Sequence, residues 1–206
     1  VVRGDAKKQT GFAGGIGAGL RHLQLNHNAH PPGRKESSQR ARSLIFLAYG
    51  VLAATSLRNY LKGDTVPLYV CENGFIAVNP PLTGARLGSL STRTAHPVFL
   101  LQVQKILEAA GVRVQIETPY QHATKGEMLA ACRDQALLKA HAAVSTSCGR
   151  FQRYAYTHCG RCVPCQIRRA AFLTWGVRDK TEYGFAKLGR KDANHAGFGD
   201  VRSAAI

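Results

Sequence analysis

Four cysteines in the last third of the 206-residue chain have the type and spacing of a metal site. Cys159, Cys162 and Cys165 follow the spacing C-x2-C-x2-C, and Cys148 lies ten intervening residues upstream. Thiolates at such intervals can point at one ion, and four of them form a closed tetrahedral zinc site without an open position for a substrate. A lone C-x2-C is also typical of redox pairs. Four thiols within eighteen residues instead indicate a structural Zn2+ ion.

A second set of polar side chains follows the apolar run 66–70, which predicts a buried strand. Segment 71–97 is too polar and too long for a plain connection. Its candidate ligand-binding residues carry carboxylate, amide, guanidinium, hydroxyl and imidazole groups: Glu72, Asn73, Arg93, Thr94 and His96. Such a loop at a strand end is typical of a ligand site. The same residues could instead hold the loop together as turn and helix caps, and spacing alone favours neither interpretation.

Three basic residues are predicted near helix starts. Arg40 and Arg42 stand at the beginning of an apolar helix predicted over 39–61, and Lys125 begins a helix that follows a strand. Cations are disfavoured at this end of the helix dipole. A bound anion would account for them, because helix N-termini bind anions. Solvated side chains would also account for them, and without further support this interpretation is slightly favoured.

The composition is that of a basic globular protein. Hydrophobic residues make up 45% of the chain, and its formal net charge is +16. This charge fits either a plain basic surface or a polyanionic partner such as nucleic acid, ATP or an acidic protein, and charge alone does not choose between them. No apolar run is long enough for a membrane span, so no membrane partner is expected. Clustered metal-type cysteines indicate a reducing cytoplasm, in which Cys71 and Cys132 are expected to be small apolar residues.

The pattern of elements predicts an α/β domain with a mainly parallel sheet. Helices are predicted over 5–20, 39–61, 96–110, 124–133, 134–144 and 165–175, and strands over 22–26, 66–70 and 112–117. The helix over 39–61 is apolar on most sides and is expected to be buried. Ligands bind beyond the carboxyl ends of parallel strands, so the loops after residues 70 and 117 are expected to lie together at one edge.

Several motifs resemble the QueC-type 7-cyano-7-deazaguanine synthases. RSLIFL at 42–47 and TKGEM at 124–128 resemble two helix starts of that family. The segment from Cys148 to Phe172 is similar to its zinc loop and the helix that leaves it. The stretches 72–81 and 91–97 differ from the typical synthase and look like the QatC branch of an anti-phage defence system.

The resemblance implies a PP-loop ATPase with the Rossmann-like adenine-nucleotide α-hydrolase fold. Its phosphate-binding S-G-G-x-D-S motif is absent here. Val1 and Val2 would align with the second strand of the family's sheet, which would place the missing motif just upstream of Val1 and leaves the catalytic residues unknown. We therefore expect a C-terminal fragment that is inactive towards ATP by itself.

The expected organisation of the fragment has three parts. Residues 1–145 would form the later part of the α/β domain, and residues 146–176 a zinc module with its exit helix. Residues 177–206 would form a loosely ordered basic tail.

The family's chemistry implies that the intact enzyme adenylates the carboxylate of 7-carboxy-7-deazaguanine, with ATP and Mg2+, and that an amine then attacks. The amine is ammonia in ordinary synthases and would be the N-terminus of a partner protein in the defence branch. Arg42 and Lys125, with Arg40, would bind phosphates. Glu72, Asn73 and Arg93 would face the deazaguanine, and the zinc module would buttress its pocket.

Further partners and alternatives follow from the same resemblance. Members of the family often form homodimers, which makes a second copy of the chain an expected partner. One alternative function is a catalytically silent module that docks a partner protein or nucleic acid through its basic face. Another is tRNA thiolation by a relative of the same fold, which would need catalytic cysteines, whereas the four clustered ones are expected to bind zinc.

Overall fold

The structure is a computed structural model that describes residues 3–17, 19–25, 33, 42–78 and 95–188. The chain divides into two compact units, one of residues 1–35 and 129–206 and the other of residues 36–128. The domain boundaries expected after residues 145 and 176 remain predictions. No described helix combines the length and the apolar character needed to cross a bilayer.

The first two residues bear on the expected position of the phosphate-binding motif. Val1 and Val2, which the resemblance aligns with the second strand of the family's sheet, lie outside the described residues. The first described element is a helix that begins at Arg3. The placement of the motif upstream of Val1 therefore stays a prediction.

Helices predominate among the described residues, together with one pair of strands. In chain order the elements are α1 (Arg3–Ile16), α2 (Arg42–Thr55), α3 (Arg58–Leu61), β1 (Val66–Tyr69), α4 (Gly74–Val78), α5 (Pro97–Ala109), β2 (Val114–Glu117), α6 (Lys125–Ala130), α7 (Gln135–Ala142), a 3-10 helix (Gln152–Tyr154) and α8 (Val163–Trp175). Most predicted helices and two of the three predicted strands are thereby confirmed.

The strands of the 36–128 unit form a parallel pair. Val66 lies opposite Val114, and Tyr69 lies opposite Glu117. Because the strands run in the same direction, the chain leaves both of them at the same edge. The Val70 amide donates to the Glu117 carbonyl over 2.8 Å just beyond the strands. An α/β fold with parallel pairing is confirmed for this part of the chain.

Helix α2 packs on the sheet along one face only. Ala54 is buried against Val66 and Val114, and a Cβ at Gly50 would lie 3.0 Å from a methyl of Leu68, so helix and strand approach closely there. Other apolar residues of the helix are exposed, among them Leu44, Phe46 and Leu52. The prediction of one buried helix over 39–61 is therefore wrong in two respects, since the described part is also broken between α2 and α3.

The outer edge of β2 is covered by a side chain from α5. Residues 113 and 117 accept hydrogen bonds from β1, so the backbone groups of residues 114 and 116 point away from it. Gln104 is 8% exposed. It accepts a hydrogen bond from the Ile116 amide over 2.9 Å and donates to the Val114 carbonyl over 3.3 Å. Its amide thus replaces a neighbouring strand and satisfies buried backbone groups.

Local side-chain capping fixes the starts of α6 and α7. The Thr124 amide donates to the Glu127 carboxylate over 2.6 Å, and the Glu127 amide donates to the Thr124 hydroxyl over 3.2 Å. This is a reciprocal capping box, and the backbone hydrogen bond from Thr124 lowers the pKa of Glu127. Asp134 caps α7 by accepting from the Leu137 amide over 2.8 Å.

In the other unit α1 packs against α7. The rings of Phe12 and His141 lie 5.2 Å apart in an edge-on arrangement. The strand predicted over 22–26 is wrong for its described residues, which have no regular structure. Gln24 instead donates its side-chain amide to the Ala6 carbonyl of α1 over 2.8 Å, so the segment follows the helix rather than a sheet.

The two cysteines outside the metal-type cluster are not core residues. Cys71 is exposed and Cys132 is half-buried. Cys71 follows β1 where the chain leaves the sheet, which explains its exposure. The expectation that they serve as small apolar residues therefore gains no support from burial in a core.

Replacing Gln104 with Met should destabilise the protein by about 1–3 kcal/mol, because the volume is nearly kept while two buried backbone groups lose their partner. Chemical denaturation measures the difference in free energy of unfolding. The matched control is Gln102→Met on an exposed position of the same helix, which should change stability by less than about 0.5 kcal/mol. Equal effects of the two substitutions would contradict the edge-covering role of Gln104.

Candidate metal centre and sheet-edge site

The four predicted cysteine ligands converge on one point. Their sulfur atoms all lie within 4.8 Å of one another, with Cys148 and Cys162 separated by 3.8 Å and Cys159 and Cys165 by 4.0 Å. Zinc–sulfur bonds of about 2.3 Å in a tetrahedron give sulfur–sulfur distances of about 3.8 Å. The set therefore fits a tetrahedral metal ion, and a donor set of four thiolates favours zinc. The predicted grouping of the four cysteines is confirmed.

Backbone amides surround these sulfur atoms. The sulfur of Cys148 accepts from the amides of Arg150 and Cys159 over 3.4 and 3.3 Å. The sulfur of Cys159 accepts from the amides of Arg161 and Cys162 over 3.4 and 3.3 Å. Hydrogen bonds of this kind favour the thiolate over the thiol. Cys162 is also the N-cap of α8, where the helix dipole favours negative charge.

The thiols strongly affect one another's pKa values. A hydrogen bond from Cys165 lowers the pKa of Cys162 to about 5 despite burial, and the same bond raises the pKa of Cys165. Burial raises the pKa of Cys148. Full ionisation of all four groups therefore needs a cation at their centre. A bound zinc ion would supply that charge and tie the loop to α8.

The turn between the second and third cysteines requires glycine. Gly160 has φ +82°, and a Cβ there would lie 2.5 Å from the Phe185 carbonyl oxygen and 2.9 Å from the Arg169 guanidinium. Left-handed backbone and close approach both select glycine. The C-G-R-C motif thus brings residue 185 directly against the cysteine cluster.

Arg168 joins three segments around this cluster. It is 6% exposed, and its guanidinium donates to the Thr181 hydroxyl over 2.8 Å, to the hydroxyls of Ser145 and Ser147 over 3.0 and 3.4 Å, to the Ala143 carbonyl over 3.0 Å and to the Ala142 carbonyl. The carbonyls belong to the C-terminal end of α7, where a cation is favoured by the helix dipole. The sequence indicates a basic segment here, but the burial of this side chain depends on long-range contacts that spacing does not reveal.

Two further arginines stack on aromatic rings beside the cysteines. The guanidinium of Arg161 lies 3.5 Å from the centre of the Phe185 ring, and that of Arg169 lies 3.9 Å from the centre of the Tyr183 ring. Arg169 also donates to the Phe185 carbonyl over 2.8 Å. Such cation–π contacts hold residues 183–185 over the cluster.

Residues 177–188 differ from the loosely ordered tail that the sequence suggests. Tyr183 forms a β-bridge with His158, and its hydroxyl donates to the Asp179 carboxylate over 2.7 Å. Burial lowers the pKa of His158 to about 4, and the nearby charges of Arg168 and Lys8 act in the same direction. Contacts with Arg161, Arg168 and Arg169 hold this stretch in place. Residues 189–206 lie outside the described residues.

The second predicted site is the carboxyl edge of the β1–β2 pair. The Gly74 amide donates to the Ala123 carbonyl over 2.9 Å, and a Cβ at Gly74 would lie 2.6 Å from the Gln121 carbonyl oxygen. The loops after β1 and β2 therefore meet, as predicted. Glu72 is an exposed residue of the first loop, and Lys125 is an exposed residue at the start of α6, directly after the second loop.

Two of the candidate ligand residues cap helices. Asn73 is 3% exposed, and its side-chain oxygen accepts from the Ile76 amide over 3.2 Å at the start of α4. His96 accepts from the Val98 amide through Nδ1 over 3.3 Å at the start of α5. These groups position the loop, which is one of the two interpretations that the spacing leaves open.

The other candidate residues are not placed by the structure. Arg40, Arg93, Thr94 and the side chain of Arg42 lie outside the described residues. The same holds for Val1, upstream of which the catalytic phosphate loop is expected. The assignments of these residues stay predictions.

Part of the chain matches a known family. Residues 94–176 match the family model described as "Queuosine biosynthesis protein QueC". This region includes β2, the capping box at Thr124 and all four clustered cysteines. It is therefore similar to a QueC family domain.

Curated proteins with similar sequences are described as 7-cyano-7-deazaguanine synthases. The protein from Methanocaldococcus jannaschii is 36% identical over 88 residues, which are 41% of this chain and 38% of the relative. The proteins from Brucella canis and Brucella ovis are 30% and 38% identical over 147 residues, which are 71% of this chain and 53% of each relative. The chain thus spans about half the length of the Brucella relatives. No solved structure matches it.

Replacing Cys162 with Ser should remove bound zinc and unfold the region that follows Cys148, because three thiolates with one hydroxyl bind zinc far more weakly and binding is coupled to folding. Metal analysis of the purified protein and thermal unfolding measure the two effects. Cys132→Ser, outside the cluster, is the control and should keep one zinc per chain. A metal-free Cys162→Ser protein with unchanged unfolding would contradict a folding role.

Replacing Arg168 with Lys should cost about 2–3 kcal/mol, because an ammonium group has three donors and cannot reach all the acceptors of the buried guanidinium. Thermal or chemical unfolding measures the loss, and limited proteolysis should show earlier cleavage within residues 177–188. Arg178→Lys, at an exposed position, is the matched control. Identical protease sensitivity of the two variants would contradict the proposed link between Arg168 and Thr181.

Proposed function

We propose that the protein is an ATP-dependent carbon–nitrogen ligase of 7-deazaguanine chemistry that acts in anti-phage defence. The observation that carries this proposal is the QueC family match over residues 94–176, which includes the four-cysteine cluster. The similarity to 7-cyano-7-deazaguanine synthases over 147 residues supports it. The assignment to the QatC branch rests on the stretches 72–81 and 91–97.

The proposed reaction has two steps. An oxygen of the 7-carboxy-7-deazaguanine carboxylate attacks the α-phosphorus of ATP, which is bound with Mg2+, and pyrophosphate leaves. An amine then attacks the carbonyl of the acyl adenylate, loses a proton, and displaces AMP to give an amide. In an ordinary synthase the amine is ammonia and a second ATP-driven dehydration gives the nitrile. In the defence branch the acceptor would be the N-terminal amine of a partner protein from the same system.

The sheet edge offers a place for these substrates. Glu72 is exposed on the loop after β1, and Lys125 is exposed at the start of α6. The hydrogen bond between Gly74 and Ala123 holds the loops after β1 and β2 together. We assign phosphate binding to Lys125 together with Arg40 and Arg42. We assign recognition of the deazaguanine to Glu72, Arg93 and Thr94. Asn73 and His96 hold the loop in place by capping α4 and α5.

Zinc would have a structural role in this scheme. Four thiolates complete a tetrahedral coordination sphere and leave no position for a substrate oxygen. The residues that would hold the ion are Cys148, Cys159, Cys162 and Cys165. When bound, zinc supplies the charge that lets the four thiols ionise together.

The reaction is tested on the protein as its whole gene encodes it, with ATP, 7-carboxy-7-deazaguanine, ammonia and the proteins encoded beside it. Mass spectrometry should detect AMP together with an added mass on a neighbouring protein. A small-molecule amide or nitrile would instead make it a conventional synthase. Absence of both products and of AMP would refute the ligase and favour a silent binding module.

Lys125→Met should reduce AMP release at least tenfold if Lys125 binds phosphate, because a charge-assisted contact with phosphate contributes about 1.4 kcal/mol or more. Lys105→Met replaces an exposed lysine of α5 and should leave the rate unchanged. The zinc content of both variants should equal that of the wild type. Equal rates for the two variants would remove Lys125 from the site.

A further inference from the structure

A strained turn lies between the first and second cysteines of the cluster. After the 3-10 helix Gln152–Tyr154, Ala155 has φ 49° and Tyr156 has φ 62°. The Tyr156 amide donates to the Phe151 carbonyl and the Thr157 amide donates to the Tyr154 carbonyl, both over 2.9 Å, so the turn is fixed. Glycine adopts this backbone conformation at little cost, whereas an aromatic residue does not. A tyrosine that is kept in such a conformation points to a use for its side chain.

The ring of Tyr156 is exposed to solvent and packs against the ring of Phe151. Its side chain is 59% exposed, and its ring lies 6.0 Å from that of Phe151 at an interplanar angle of 79°. Phe151 in turn packs against the cysteine cluster. The Lys8 ammonium lies 4.8 Å from the centre of the Phe151 ring. An exposed aromatic ring therefore stands close to a positive charge.

The chain from residue 129 to residue 188, which belongs to the same unit as the turn, has an excess of positive charge. It contains ten Lys and Arg residues but only three Asp and Glu residues. The Asp179 carboxylate is occupied within the fold, because it accepts from the Thr181 amide over 2.9 Å and from the Tyr183 hydroxyl over 2.7 Å. Buried Arg168 is likewise occupied by its internal acceptors. This stretch therefore has few acidic side chains that could offset its exposed cations.

Two exposed cations lie on segments beside the turn. Arg153 precedes Tyr154, whose ring lies 6.1 Å from that of Phe185. This contact brings the segment that carries exposed Lys187 next to the turn. We call the group of Lys8, Arg153, Tyr156 and Lys187 the Tyr156 surface.

We propose that the Tyr156 surface binds single-stranded nucleic acid. Tyr156 stacks on an unpaired base, and Lys8, Arg153 and Lys187 contact the backbone phosphates. Aromatic platforms flanked by cations are the usual means of holding a single strand without sequence preference. A duplex keeps its bases stacked on each other and offers no free face to the ring. Binding of an acidic protein by charge alone would need the cations but not the ring, so it would not depend on Tyr156.

Binding is measured by fluorescence anisotropy with labelled single strands of 12 nucleotides and mixed sequence, both RNA and DNA. The corresponding DNA duplex is measured in the same way. Single strands should bind more tightly than the duplex, and affinity should fall as salt rises. Tyr156→Ala should weaken binding roughly 5- to 150-fold, while Tyr156→Phe should retain it, because a ring is enough for stacking. Arg153→Gln should make the negative slope of log K against log salt shallower by about 0.7.

Two control variants separate specific from general effects. Leu173→Ala removes a side chain that is 82% exposed in the same unit, and Lys105→Gln removes an exposed charge from the other unit. Both should bind as the wild type does. Equal affinity for duplex and single strand, or an unchanged affinity of Tyr156→Ala, would overturn the proposal.

A measurement on the unaltered protein tests the proposal without relying on variants, whose weaker binding could also result from a folding defect. A single strand that contains 5-bromouracil should crosslink to Tyr156 on irradiation, as mapped by peptide mass spectrometry. Crosslinks confined to residues outside 150–157 would also overturn the proposal. Neither readout depends on ligase activity, so this inference can fail or hold independently of the proposed function.

Discussion

Repulsion between four sulfur atoms is the constraint on which the structure around residues 148–165 depends. Thiolates held within 4.8 Å of one another cannot all ionise unless a cation lies between them. The backbone moderates this repulsion, since amides point at Cys148 and Cys159 and α8 begins at Cys162. Gly160 follows from the same constraint, because the tight turn that aims these amides leaves no room for a Cβ.

Arg168 extends the influence of the cluster to more distant segments. A buried guanidinium is tolerated only when its donors are paired, and here the acceptors come from the end of α7, from Ser145 and Ser147, and from Thr181. One side chain on α8 therefore fixes the approach to Cys148 and the path of residues 177–188. Helix α8 would therefore be anchored by zinc, and through Arg168 the same helix orders the segments around the cysteine cluster.

The features that could be predicted from the sequence are those set by local pattern. The capping box at Thr124, the strand bounds and the grouping of the cysteines follow from spacing, and they agree with the structure. The failures involve tertiary contacts. The alternation at 22–25 suggested a strand but the segment follows α1, and α2 packs on the sheet along one face although it is apolar on several. Order in residues 177–188 comes from arginines that sequence reasoning treated only as charge.

Gln104 also determines on which side of the β1–β2 pair a further strand can form hydrogen bonds. Its amide occupies the outer backbone groups of β2, so another strand could pair only on the far side of β1. There Pro67 offers a carbonyl but no amide, while Tyr69 offers both, because the amides of Val66 and Val70 point to β2. A phosphate-binding strand of the kind that the proposed ligase requires would therefore lie beside β1. Its carboxyl end would then emerge next to the loop that carries Glu72 and Asn73, where the substrate is proposed to bind.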